Sequence, residues 1–298
     1  VVTNTGTVSG ATTNSSTGTI RNGGTLGDTA NDGVITNLIN AIISSLTNTG
    51  LTTNHGTVTN ATDNTGTISN DGTMGSIASN TGTVTNGGTV GSVSTSGVLN
   101  NTGTAGTVTN AVGGSVTNSG TLAALDNSGS TSNSGTITGA VTNTGTITNY
   151  NLVGGSMTND GTVSNYGTLH AVTNDATGTF RNYAAGTTGA FANAGMMSNA
   201  GTMASLTNSG TANNTGTVTG AVTNTGSLTN SGTTGDWTNA AASTISNTGT
   251  MGNGTNAGTV TNGGTVGTVN NAGTFTNAVA GSTSSFTNTG SLTNAGSM

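Results

Sequence analysis

Apolar residues in this chain come singly, each held between polar neighbours. In Asn80-Thr-Gly-Thr-Val-Thr-Asn86, Val84 stands between Thr83 and Thr85, and Val90 and Val93 follow in the next polar phrase. Alternation with a period of two is the mark of a strand with one buried face. The phrase recurs with a fixed rhythm. Asn48, Asn54, Asn64, Asn70, Asn80 and Asn86 step by 6 and 10 in turn, and Asn127, Asn133, Asn143, Asn149, Asn159 and Asn165 do the same. A period of about 16 residues makes roughly 18 units in 298 residues, too short a unit for a helical-pair repeat and suited to a single β-coil. The expected fold is all-β: a parallel β-solenoid, one continuous array over residues 1–298.

Each residue type has a place in such a coil. Val84, Val90 and Val93 form the inward set of one coil, and Ile147, Leu152 and Met157 are assigned to the same slots further along. Gly82 and Gly88 precede strands and are expected where the chain turns through φ values that a side chain forbids. Asn80, Asn86, Asn143, Asn149, Asn159 and Asn165 are placed at the corners, where asparagine tolerates left-handed backbone. Stacked coil on coil, these side chains are also expected to bond one another in a ladder. Three aliphatics per coil make a thin core, so stability has to come from stacking.

One segment departs from the pattern. Between Asp32 and Leu46 the apolar residues fall at 34, 35, 38, 39, 42, 43 and 46, a spacing that suits an amphipathic helix, while Asn31, Asn37 and Asn48 keep the solenoid step. The segment reads as a greasy long arm, or as a short helix folded over a coil edge, in preference to a partner-binding patch.

Composition narrows the function classes. Thr, Asn and Gly make up more than half of the chain, and apolar residues 30 %. Such a composition borders on disorder, but the fixed apolar positions argue for folding. Arg21 and Arg181 are the only strong bases against eight acidic residues, for a net charge of −6. Two isolated arginines do not provide the phosphate neutralisation that nucleic-acid binding needs. No apolar run approaches the roughly 20 residues of a membrane span. Cysteine and proline are both absent. The first excludes disulfides and thiolate metal sites and fits a secreted chain; the second fits strands paired on both sides.

Catalytic chemistry is not expected. His55 and His170 lie far apart, with no carboxylate at a neighbouring sequence position or a similar coil position. Asp160 and Asp175 each follow a corner asparagine in successive coils and are the nearest approach to a carboxylate pair or calcium ligand set; water-facing charges are the plainer reading. No glycine-rich phrase matches a phosphate loop, so neither cofactor nor metal is expected. Two surface features stand out: the Thr-apolar-Thr rows, such as Thr57 with Thr59 and Thr83 with Thr85, and a set of aromatics. Tyr150, Tyr166 and Tyr183 are the only tyrosines, and each follows a corner asparagine at spacings of 16 and 17. They are expected on three successive coils at one lateral position, as a candidate contact for a flat sugar face or another fibre.

The phrase Asn143-Thr-Gly-Thr-Ile147-Thr-Asn149 resembles the passenger repeats of bacterial autotransporters and filamentous-haemagglutinin-like adhesins, and the resemblance covers essentially the whole chain. It implies an extracellular or cell-surface stalk or fibre, with adhesive or biofilm-matrix function. An alternative resemblance is to ice-binding β-solenoids, through rows such as Thr83 with Thr85 and Thr146 with Thr148. Those rows are interrupted by Arg21, Ser69, Ser164, His170 and Arg181. Both ends of the sequence are in phase with the repeat, so self-association head to tail is the expected partnership, with surface glycans or other fibres as further partners.

Overall fold

The computed structural model describes residues 1–298. The chain is all-β without helix, a parallel β-solenoid of about 18 turns at the expected spacing. It falls into two compact units, Val1–Ile147 and Thr148–Met298.

In the first unit each turn contributes one strand to a first sheet and a longer, bent segment to a second. First-sheet strands such as Leu51–Asn54, Thr67–Asn70, Thr83–Asn86 and Val98–Asn101 pair in parallel and in strict register, Ile68 beside Val84 beside Leu99. Second-sheet strands such as Ile42–Asn48, Thr57–Asn64 and Thr73–Asn80 stack likewise, with a register shift where the strand bends. That bend supplies two inward positions, so three residues of each turn point to the core. Val84, Val90 and Val93 are one such set, all but fully buried, as are Ile147 in its own turn and the trio Ile68, Met74 and Ile77.

The asparagines are the other half of the core. First-sheet strands end on one, as do the second-sheet segments apart from that ending at Thr95, and away from the first and last turns these side chains are almost completely buried. Asn54 Nδ2 donates to Asn70 Oδ1 over 2.7 Å, Asn70 to Asn86 over 2.7 Å, and Asn86 to Asn101 over 2.8 Å. A second row runs through Asn31, Asn48, Asn64 and Asn80 at 2.7–2.8 Å. The other amide proton is also used: Asn70 Nδ2 reaches the Gly72 and Thr89 carbonyl oxygens at 3.3 and 3.1 Å. A primary amide has one acceptor and two donor hydrogens, and each turn of the row consumes all of them. Burial of so polar a side chain is tolerable only under that condition.

The expected ladder is therefore present, but the corner reasoning is corrected in two respects. The ladder asparagines are not left-handed; positive φ among non-glycine residues occurs only at Asn40 and Ala242. Their role is side-chain hydrogen bonding inside the stack. Gly82 and Gly88 do not have positive φ either, that being confined among glycines to Gly113. They are glycines because the turns approach closely: a Cβ on Gly82 would run into the carbonyl oxygen of Gly66 one turn before.

The apolar segment also differs from its helical periodicity. It forms the strands Val34–Asn37 and Ile42–Asn48, with Ile35, Ile43 and Leu46 inward and Ile39 exposed at a four-residue corner closed by Ala41 N–H to Leu38 O. The extra apolar residues mimicked a helix because this corner is longer than its neighbours.

The second unit repeats the plan. Thr162–Asn165, Thr179–Asn182, Met196–Asn199 and Thr211–Asn214 stack in the first sheet. Asn149, Asn165, Asn182, Asn199 and Asn214 form the ladder at 2.8–2.9 Å, and Asn159 with Asn174 begins the other row at 2.7 Å. Met157 is buried as expected. Leu152 is not a core residue. It is half-exposed in the outward place normally held by threonine, in register with Thr168, and Val153 fills the core slot. In Asn149-Tyr-Asn-Leu-Val153 the usual glycine and threonine are replaced, so two adjacent aliphatics compete for one inward place, and the period of two from Asn149 selects the second.

Larger side chains are fitted by exchange between turns. Phe180 and Phe191 meet across the core with centroids 4.5 Å apart. Trp237 is buried over Gly254 of the following turn, where a Cβ would collide with the indole, and its Nε1–H donates to the Gly252 carbonyl at 3.0 Å.

Candidate surface contact site at the tyrosine ladder

The backbone places the three tyrosines. The first-sheet ladder fixes Asn149, Asn165 and Asn182 above one another, and the next residue of each turn is tied to the previous one: Tyr166 N–H donates to Asn149 O at 2.8 Å, Tyr183 N–H to Asn165 O at 2.9 Å. Side chains at these places start about one strand spacing apart, near 4.8 Å, which is close to the distance at which aromatic rings stack. The rings do so. Tyr150 and Tyr166 have centroids 5.3 Å apart at 15°, and Tyr166 and Tyr183 4.1 Å apart at 7°. Tyr150 is 56 % exposed and Tyr166 36 %.

The hydroxyl ends join the ladder to the outer face of the first sheet. Hydrogen bonding from Tyr166, then from Ser164, and the nearby positive charge of Arg181 hold the Tyr183 phenol below its ordinary pKa despite partial desolvation. The bond between Tyr166 and Tyr183, with desolvation and the neighbouring phenols, raises Tyr166. Ser164 and Arg181 are outward neighbours in register on adjacent strands. The rings thus lean back from the corner across the sheet, and Arg181 is the only arginine or lysine of the second unit.

Beside this end of the ladder lies a hollow of about 250 Å³ lined by Thr179, Arg181, Met196, Ser198, Thr211 and Asn213. Met196 is 63 % exposed, an unusual side chain on a face that in this unit is otherwise Thr, Ser and Asn apart from Arg181.

The remaining candidates are dispersed. Threonine rows do not extend across the first sheet: Thr83 and Thr85 lie beside Val98 and Asn100, and Thr179 and Arg181 beside Met196 and Ser198. Asp160 and Asp175 do follow one another in successive turns, and Asp160 accepts a hydrogen bond from the Thr177 hydroxyl at 3.4 Å. His55 corrects the sequence reading, since a carboxylate does occupy the matching place one turn on: His55 Nδ1 and Asp71 Oδ2 are 3.3 Å apart at the surface. Both residues directly follow ladder asparagines, Asn54 and Asn70, so the same spacing that aligned the tyrosines would have aligned this pair.

The hollow and its arginine are not legible from spacing alone. Arg181 appeared only as an interruption of a threonine row, whereas its proximity to Tyr183 depends on rings folding back over the sheet. No protein-family model, curated protein or solved structure matches the chain.

Proposed function

We propose that the protein is a structural and adhesive element, an extracellular β-solenoid stalk or fibre of a bacterial surface or matrix whose tyrosine ladder is its contact with surface glycans or other fibres. The observation that carries the reading is the ladder itself. Three stacked aromatic rings in consecutive turns, Tyr150 and Tyr166 exposed and Tyr183 half-buried, present a rigid amphipathic strip, held in place by buried asparagines. A strip of this kind favours flat partners with both apolar and hydroxylated surface. The secreted setting draws support from the cysteine-free composition and from the resemblance of the repeat phrase to adhesin passengers. The interrupted threonine rows argue against an ice-binding face, which requires a regular array.

Self-association fits the same scaffold. Apart from the break at Thr95, the ladder asparagines donate toward one side and accept from the other, so opposite faces of a turn are complementary, and copies joined by such a contact grow head to tail without closing. Concentration-dependent light scattering tests this, with growth expected and a constant monomer mass contradicting it.

The adhesive reading is tested with beads coated with the protein and presented to polysaccharide-coated surfaces. A Tyr150→Ser, Tyr166→Ser, Tyr183→Ser variant is expected to lose retention while its circular dichroism stays that of the parent. Equal retention of parent and variant, or none of either, would overturn it.

A further inference from the structure

The tyrosine column ends at Tyr183. The next place in the same column belongs to Ala200, whose N–H donates to Asn182 O at 2.7 Å just as the tyrosine amides bond to the turn before them. A methyl group is too small to continue the stack, so the ladder stops at Tyr183, which is half-buried. The hollow lined by Arg181, Met196, Ser198 and Asn213 lies on the same side of the sheet, over the turns to which Ala200 belongs.

The register shows what a fourth ring would meet. The Tyr183 hydroxyl faces Ser164, the outward residue of the preceding strand, and Arg181 of its own strand. Shifted by one turn, a ring above Ala200 would direct its polar edge at the residue in register with Ser164, which is Arg181. Its apolar face would rest on Tyr183, with Met196 near its rim. Ser198 and Asn213 offer further hydrogen-bonding groups.

We infer that the end of the ladder is a binding subsite for an acidic sugar, a uronic-acid unit whose ring continues the aromatic stack on Tyr183 above Ala200 and whose carboxylate pairs with Arg181. The inference rests on the adhesive reading of the ladder and sharpens it to one ligand class. A pyranose ring has the two surfaces the site asks for, with axial C–H groups for the phenol face and hydroxyls for Ser198 and Asn213. The guanidinium matches a carboxylate with two parallel hydrogen bonds. It is the one fixed cation of this unit, whose carboxylates are Asp160, Asp175 and Asp236. Charge therefore discriminates at this spot, while the rest of the strip favours sugars of any charge.

The test uses the full chain, an oligogalacturonate and its carboxyl-reduced neutral counterpart, with binding followed by saturation-transfer NMR and titration. The parent is expected to bind the charged oligosaccharide at least tenfold more tightly than the neutral one. Arg181→Gln is expected to remove that preference. Ala200→Tyr extends the ladder into the site and is expected to abolish binding of the charged form with circular dichroism and melting temperature retained, which separates blockade from misfolding. Equal binding of the two oligosaccharides by the parent, no binding of either, or binding unaffected by both substitutions would overturn the subsite. Should bead adhesion still depend on the tyrosines in that event, the adhesive reading stands and only the acidic-sugar inference fails; loss of both would reject the ladder as a contact site.

Discussion

Asn80 donates its side-chain amide to the Thr95 hydroxyl, over 3.0 Å, at the one place in its row within the first unit where the next turn supplies no asparagine. The Thr95 hydroxyl turns back toward the Asn80 carbonyl at 3.4 Å, and Asn110 Oδ1 on the following turn is left buried without a donor. A row of amides propagates only through a group that both accepts and donates along the stack, and a single hydroxyl pointing backward breaks it.

Thr95→Asn should repair the row. The new amide would accept from Asn80 and donate to Asn110, relieving a buried acceptor whose desolvation costs about 1–3 kcal/mol. A rise in unfolding free energy of about 1–2 kcal/mol in urea titration is expected. An unchanged or lower midpoint would show that Asn110 is not the weak point the geometry makes it.

The core threonines form a matched pair of experiments. Thr62 Oγ1 is buried with no partner, whereas Thr52 Oγ1 donates to Asn48 Oδ1 at 2.9 Å and accepts from Asn31 at 3.3 Å. Thr62→Val should stabilise by about 1 kcal/mol and Thr52→Val should destabilise by a similar amount. Equal effects of both substitutions in the same melting assay would contradict the hydrogen-bond assignment.

Trp237 and Gly254 share one space across two turns. Gly254→Val should therefore be severe, about 3 kcal/mol or more, because the added side chain meets a buried ring that has nowhere to go. Combining it with Trp237→Val should recover most of the loss, a coupling that a double-mutant cycle reads directly. Simple additivity of the two substitutions would mean that the indole does not lie over Gly254.

Alkaline titration of the tyrosine absorbance reports on the ladder. Tyr183 should lose its proton below the ordinary phenol range and Tyr166 above it, since one bond between them lowers the first and raises the second. Arg181→Gln removes a charge that favours the Tyr183 phenolate, so the early step should move upward. Titration of Tyr166 and Tyr183 in one common step would contradict the hydrogen-bonded stack.

Much of this arrangement was legible because the repeat is nearly a code for register. The step from Asn54 to Asn70 to Asn86 aligned the ladder, and the step from Tyr150 to Tyr166 to Tyr183 aligned the rings, since residues one period apart must stack when strands pair in parallel. The period failed where a turn changes length or loses its marker residues. Spacing does not separate Leu152 from Val153 because the flanking glycine and threonine are missing, and residues 32–46 mimic a helix because a four-residue corner inserts apolar positions. Backbone conformation was less visible still. Gly82 was read as a left-handed turn, and the close approach of Gly66 that actually requires it comes from the neighbouring turn. Trp237 over Gly254, and Arg181 beside Tyr183, depend on side chains reaching beyond their own turn, which spacing alone does not encode.

The central claim is that buried asparagine amides, bonded in rows, hold the turns together. Hydrogen exchange of asparagine side-chain amides, resolved by ¹⁵N NMR, tests it most directly because internal controls are present in the same molecule. Asn70 and Asn86 are fully buried in the row, and Asn213 is exposed on the outer face of a strand. The account predicts side-chain amide protons at Asn70 and Asn86 that are protected as strongly as the backbone amides of their strands, with Asn213 exchanging at the rate of a free amide. Exchange of Asn70 and Asn86 as fast as Asn213, in a chain whose backbone amides remain protected, would contradict it.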